Sequence, residues 1–214
     1  MPAEVRLDIH ADPVCPWCLI GKAWLDRALE GAADHPLAVV WHPFRINPDM
    51  PAGGMDHRDW LEVRHGSQMA AVQALKPVLE ATAALGLTLD LPAIARMPDT
   101  TDAHRLLHWA GLEGRQTPVM AALMRAHWRE GRDIGQPGPL ADIAAAAGMD
   151  ADLVARLLST DADRDTVLEA EAAARTRGIR ATPTFVVGGA YVLPGAQPVA
   201  LWRDVLAELA ERAR

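Results

Sequence analysis

Cys15-Pro16-Trp17-Cys18 carries both cysteines of a 214-residue sequence. Upstream, Val5, Leu7 and Ile9 alternate with Arg6, Asp8 and His10, the period-two pattern of a strand that closes near Asp12 and Pro13. Downstream the apolar spacing turns helical from Pro16 to Glu30, with Ile20, Trp24 and Ala28 on one stripe, Leu25 and Leu29 beside it, and Gly31 as a stop. Pro16 suits the first helical position, where the N–H it lacks would have had no partner. The pair therefore falls where a strand hands over to a helix, whose unpaired N–H groups favour a thiolate. A Cys-x-x-Cys in that place reads as a redox-active dithiol.

Leu37 to Ile46 reads as a second strand, rich in Val39, Val40, Trp41 and Phe44 and closed by Pro43 and Pro48. Strand, helix and strand make a βαβ unit, expected to be parallel and right-handed. Pro51, Gly53 and Gly54 mark a linker, and from about Asp56 to Arg177 strand character almost vanishes. Asp56, Thr117 ahead of Pro118, Asp150 and Asp161 are candidate N-caps, with Gly86, Gly148 and Gly178 as stops, so about five or six helices are expected. Pro77, inside the run Ser67 to Leu85, should kink or divide its helix by removing a donor and crowding the preceding turn.

Strand character returns at Thr184-Phe185-Val186-Val187, turns at Gly188-Gly189 and resumes at Ala190-Tyr191-Val192-Leu193, the pattern of a hairpin. Gln197 to Arg214 reads as a last amphipathic helix, with Val199, Trp202, Val205, Leu206 and Leu209 turned inward. Both ends of the chain must then share one sheet, with the helical block inserted between them. The expected organisation is residues 1–50 and 178–214 as one discontinuous unit and 51–177 as an inserted helical unit.

Half of the residues, 50%, are hydrophobic, enough for a core that needs no disulfide support. Acidic residues outnumber basic ones, 28 to 21, and the formal charge of -7 argues against non-specific attraction to nucleic acid or an anionic membrane. Glu4, Arg6 and Asp8 interrupt the start where a signal peptide needs an apolar run, and no stretch of about 18 apolar residues occurs, so a cytoplasmic chain is expected. In that reducing compartment a close cysteine pair is catalytic or metal-binding rather than structural. One Cys-x-x-Cys supplies only half of a structural zinc site, so no metal is expected. His104 and His108 stand one helical turn apart, a spacing that can hold a metal, but without a third ligand they read as an ordinary helix face.

Four segments stand out together: Asp12-Pro13-Val14-Cys15-Pro16-Trp17-Cys18 with Ile20-Gly21-Lys22, Asp102-Ala103-His104-Arg105-Leu106 with His108-Trp109-Ala110, Glu130-Gly131-Arg132-Asp133-Ile134, and Ala181-Thr182-Pro183-Thr184-Phe185-Val186-Val187 ahead of Gly195-Ala196-Gln197-Pro198. They resemble the DsbA family, and within it the intracellular FrnE-like branch, over nearly the whole chain. The resemblance implies an α/β thioredoxin-like fold with a large all-α insertion. It also implies that Cys15 is the exposed attacking nucleophile and Cys18 the resolving thiol. Thr182-Pro183 would be cis and lie against the dithiol, presenting the Thr182 backbone to an extended substrate by strand-like pairing and keeping a metal off the sulfurs. The two middle segments carry no assignable chemistry at this level.

A helix start contributes about 0.3 to 2 kcal/mol toward an anion, roughly one unit of pKa depression. Further depression would come from the Cys18 thiol and from the N–H groups of Trp17 and Cys18. The implied cycle is thiolate attack on a disulfide, a mixed disulfide, and resolution by the neighbouring thiol. Pro16 and Trp17 carry no ionisable group, which points to a potential nearer a moderate reductant or isomerase than a strong oxidant. Asp8, His10 and Asp12 share one strand face if the alternation holds, and Asp12 or Asp8 could accept the Cys18 proton; the plainer reading is solvated polar residues at a strand end.

The alternative is a glutathione-dependent isomerase or transferase of the hydroxychromene-carboxylate isomerase or kappa-class type, acting on a small aromatic or polyketide substrate beside Trp17 and Phe185. Such enzymes resemble this chain in architecture but typically carry Ser at the position of Cys15 and need no Cys18, so the retained pair favours the dithiol. No bound cofactor is expected. Glutathione is open as a co-substrate, and the partners are protein or small-molecule thiols and disulfides.

Overall fold

The computed structural model describes residues 4–32 and 34–212. The first unit is strand β1 (Val5–Ala11), helix α1 (Pro16–Glu30) and strand β2 (Leu37–Pro43). β1 and β2 run parallel, from Val5 opposite Leu37 to Ala11 opposite Pro43. The alternation in β1 turns Leu7 and Ile9 into the core, where neither is exposed. β2 is three residues shorter than expected: it stops at Pro43, which has no N–H for a ladder.

The next stretch contains a two-residue ribbon, β3 (Met55–Asp56) paired antiparallel with β4 (Arg96–Met97), too short to signal itself in sequence. Seven helices accompany it, more than the five or six expected: α2 (His57–His65), α3 (Gln68–Ala84), α4 (Thr101–Leu112), α5 (Gln116–Glu130), α6 (Pro137–Ala146), α7 (Ala151–Leu158) and α8 (Arg164–Thr176). Gly66, at φ 83°, ends α2 in the left-handed region, and the Ser67 hydroxyl at once caps α3 by accepting from the Ala70 N–H. Asp56 and Asp150 cap α2 and α7 as expected.

Three local expectations need correction. Thr117 caps nothing: it lies in the first turn of α5, and its hydroxyl accepts from the Trp41 indole at 3.0 Å. Asp161 stands short of α8, whose N-cap position is Asp163. Pro77 does not divide its helix, since α3 runs through it from Gln68 to Ala84; the donor it lacks is one hydrogen bond among many.

Strands β5 (Thr184–Val187) and β6 (Tyr191–Pro194) form the hairpin, and α9 (Val199–Arg212) follows; residues 213 and 214 of the expected helix lie outside the described residues. The four long strands make one sheet in the order β2-β1-β5-β6, with β5 antiparallel to β1. The edge of β2 is covered by Gln116, whose side chain accepts from the Trp41 N–H at 2.9 Å and donates to the Trp41 carbonyl at 3.0 Å. Phe185 meets Trp202 edge to face at 4.9 Å, which docks α9 on the sheet. Leu7 and Ile9 of the sheet, Leu106 of α4 and Met120 and Leu123 of α5 belong to one apolar cluster, so helical block and sheet share a core. Among the described residues no helix is long and apolar enough to cross a membrane.

Candidate active site

The loop between β1 and α1 folds back on itself at the cysteines. The Cys15 N–H donates to the Asp12 carbonyl at 3.0 Å, and the Cys15 carbonyl accepts from Cys18 N–H at 3.0 Å, closing the first turn of α1. Cys15 occupies the N-cap position and Pro16 the first turn, so the helix start lies at the Cys15 sulfur. Trp17 is 37% exposed beside it.

The Thr182–Pro183 peptide is cis, and the Cys15 thiol donates to the Thr182 carbonyl at 3.7 Å. The Pro183 carbonyl in turn accepts from Gly195 N–H at 2.7 Å, fixing this loop to the end of β6. Gly21 permits the approach: a Cβ there would stand 3.0 Å from Pro183 Cγ and 3.3 Å from Phe185 Cζ.

The two thiols are unequal. Donation from the Cys18 thiol, reinforced by Thr182 and the Cys18 N–H, outweighs burial and holds the Cys15 thiol below its ordinary pKa. Burial, and then the neighbouring Cys15 sulfur, push the Cys18 thiol well up. Cys15 lines the adjoining groove and Cys18 does not. Such a pair can attack through one sulfur and hold the other as a thiol in reserve.

Asp12 lies beneath the pair with no exposure at all. Its carboxylate accepts from Ile46 N–H at 2.8 Å, Val14 N–H at 3.3 Å and the Thr100 hydroxyl at 3.3 Å. Burial outweighs these bonds and raises its pKa to about 7. The reading of Asp8, His10 and Asp12 as solvated strand-end residues therefore fails for Asp12. Asp8 lies apart, 2.6 Å from both Arg6 Nε and His42 Nε2; burial raises its carboxyl, but those bonds bring it below its usual range. His10 stacks on His42 at 4.9 Å, and burial lowers its pKa to about 4.

The groove beside Cys15 has a volume of about 470 Å³. Trp17, Phe44, Trp60 and Trp128 give it an aromatic lining, and Arg45, Arg64, Arg175 and Arg180 a cationic one; no Asp or Glu lines it. Arg45 and Arg175 are held by Glu171, at 2.7 and 2.6 Å, and Arg175 also lies 4.1 Å over the Phe44 ring. Among the described residues Arg64 and Arg180 form no ion pair, which leaves two charges facing the groove of an acidic protein.

A family model described as a DSBA-like thioredoxin domain matches residues 6–207. The chain belongs to this family. Among curated proteins, the DSBA-like chain is 28% identical over 194 residues to the uncharacterized protein YwbO of Bacillus subtilis, with 90% of each chain covered. Among solved structures, a probable DsbA oxidoreductase from Streptomyces coelicolor is 29% identical, with a TM-score of 0.83 over 99% of this chain and 92% of that one. The cytosolic disulfide reductase DsbM from Pseudomonas aeruginosa shares the fold at 20% identity, with a TM-score of 0.67 over 97% of this chain and 100% of that one. DsbM has also been solved with GSH, and that structure matches with a TM-score of 0.65.

The tertiary structure also brings to the DSBA-like site residues that sequence patterns did not mark. Arg45 follows β2 while Glu171 and Arg175 stand one turn apart on α8, and the Thr100 hydroxyl arrives from the start of α4. His104 is 2% exposed, with its Nε2 3.8 Å from Asp12 Oδ1, whereas His108 is partly exposed, 4.0 Å from Asp163 Oδ1. The two are therefore unlike: His104 is buried against Asp12 and His108 is partly open to solvent. Among the described residues no group of three metal-ligating side chains comes together.

Proposed function

We propose that this protein is a thiol-disulfide oxidoreductase of the FrnE-like branch, with Cys15 as nucleophile and Cys18 as resolving thiol. The observation that carries this reading is the opposed character of the two sulfurs, one lowered and facing the groove, the other raised and sealed behind it. The Cys15 thiolate attacks a disulfide and releases one thiolate; Cys18 then attacks Cys15 and releases the second, leaving a Cys15–Cys18 disulfide. Asp12 is the proposed acceptor of the Cys18 proton, and the Thr182 backbone beside Pro183 the proposed contact for substrate.

The groove favours a small anionic thiol or disulfide as a co-substrate, since Arg64 and Arg180 supply unpaired positive charge beside an aromatic lining. Glutathione, a tripeptide with two carboxylates, fits that chemistry, and DsbM has been solved with GSH in the same fold. A reducing, cytoplasmic setting is consistent with this pairing.

The test is equilibration of the Cys15/Cys18 pair with graded glutathione buffers, read by trapping free thiols. The expected result is a reversible two-electron transition, whose midpoint gives the direction of electron flow at about 1.4 kcal/mol per 30 mV. Cys15→Ser should abolish exchange and Cys18→Ser should accumulate a mixed disulfide. A pair that never forms a disulfide, with a glutathione-linked activity that survives Cys18→Ala, would instead establish the isomerase or transferase reading.

A further inference from the structure

A second cavity, of about 450 Å³, lies against β2, α4 and α8, and shares no lining residue with the groove at Cys15. His42, His104 and His108 line it. Only His104 also reaches toward the dithiol. Its Nε2 is buried with no hydrogen-bond partner, and the nearest carboxylate oxygen is Asp12 Oδ1 at 3.8 Å.

Resting on the dithiol reading, we propose that His104 is the proton exit of the site, passing the proton that Asp12 takes from Cys18 to solvent in the second cavity. The need for an exit follows from burial. Asp12 and Cys18 are 0% and 1% exposed, and a substrate joined to Cys15 occupies the groove, so neither can exchange a proton with water on that side.

The hydrogen-bond inventory selects His104. The Asp12 carboxylate accepts from the Ile46 N–H, the Val14 N–H and the Thr100 hydroxyl. Once protonated it must also donate, and a neutral imidazole nitrogen is an unoccupied acceptor. The 3.8 Å separation exceeds a hydrogen bond, and a small side-chain rotation closes it. The other charged groups facing this pair are Glu171, Arg45 and Asp99, with the Cys15 thiolate above Asp12. Burial keeps His104 neutral, at a pKa of about 4 against about 7 for Asp12, so the proton rests on Asp12 and leaves through an imidazole able to accept it.

The balance for resolution is complete. Cys18–SH gives its proton to Asp12, and the resulting thiolate forms the Cys15–Cys18 bond while the Cys15–substrate S–S bond breaks. The departing thiolate carries away the electron pair of that bond; the proton passes from Asp12 through His104 to the water of the second cavity. The same route in reverse supplies the proton when the protein's disulfide is reduced.

The experiment reacts reduced protein with a chromogenic aromatic disulfide and follows two absorbance phases in single turnover, attack by Cys15 and resolution by Cys18. His104→Ala and His104→Gln should retain the attack phase and slow resolution by about tenfold or more. Imidazole, entering through the second cavity, should restore resolution in His104→Ala and leave His104→Gln, whose side chain fills the space, unrestored. Resolution at the wild-type rate in His104→Gln, or a slow His104→Ala that imidazole does not restore, overturns the relay. If His104→Ala does not fold, the Gln variant decides by the rate and pH profile of its second phase. Absence of a second phase in the wild-type protein instead brings down the dithiol reading itself.

Discussion

The Trp128 indole donates to the Pro13 carbonyl at 3.0 Å, a bond between α5 and the loop that carries Cys15. It ties the helical block directly to the dithiol, and Trp128 is only 3% exposed. Trp128→Phe leaves the carbonyl without its donor in a buried place, at a cost of about 1–3 kcal/mol. A fall in unfolding free energy of that size, read as a lower urea midpoint, with a change in the alkylation rate of Cys15, is expected. An unchanged midpoint would mean that the loop is held by other contacts.

Glu171 clamps two arginines behind the groove and is 3% exposed. Its carboxyl is raised by burial but brought below its usual range overall by the hydrogen bonds of Arg45 and Arg175. A depressed carboxylate contributes stability above its unfolded pKa, and that stability is lost as pH falls through the lower folded value. Glu171→Gln should therefore cost about 3 kcal/mol near neutral pH by leaving Arg45 poorly compensated, and should flatten the acid limb of the stability curve. Denaturant titrations between about pH 3 and 7 measure both effects.

Asp12 has the opposite sign. With a folded pKa raised to about 7, the native state binds a proton more readily than the unfolded chain, so stability falls as pH rises from about 4 to about 7. Asp12→Asn should stabilise the protein at pH 8 by about 4 kcal/mol and have little effect below pH 4, while slowing the resolution phase. Equal stabilities at both pH values would remove the buried-charge account.

Cys15 should titrate below an ordinary thiol, and Cys18→Ala should move it up, because donation from Cys18 is the largest influence holding it down. Thiolate absorbance against pH reads both midpoints. A Cys15 midpoint indifferent to Cys18→Ala would assign the depression to the helix start and Thr182 instead.

Arg64 and Arg180 are both exposed, so each should act modestly. Replacing either by Ala is expected to raise KM for glutathione disulfide about two- to five-fold with little change in kcat, and the effect should shrink at high salt. An unchanged KM in the double variant would mean that these arginines do not bind the carboxylates of glutathione disulfide.

The elements around the dithiol were legible because each is encoded locally. Alternating Leu7 and Ile9 define β1, the shift to helical spacing after Pro16 defines α1, and the glycines after α3, α6 and α8 stop their helices through left-handed φ. Thr117 and Asp161 misled because capping chemistry suits many positions and tertiary packing selects among them: the Thr117 hydroxyl is taken by Trp41.

By itself, the sequence determined the strands and helices that flank the dithiol, the place of Cys15 at a helix start and the acidic balance of the whole, since these depend on neighbours along the chain. Tertiary structure alone decided the electrostatics. Arg45 meets Glu171 across 126 positions, Asp12 becomes a carboxyl near pKa 7 only through the burial that folding imposes, against the hydrogen bonds from Ile46 and Thr100, and His104 gains a purpose only beside Asp12. Burial and the partners that accompany it set the strength of a charge, and both are assembled from segments with no local sign that they will meet.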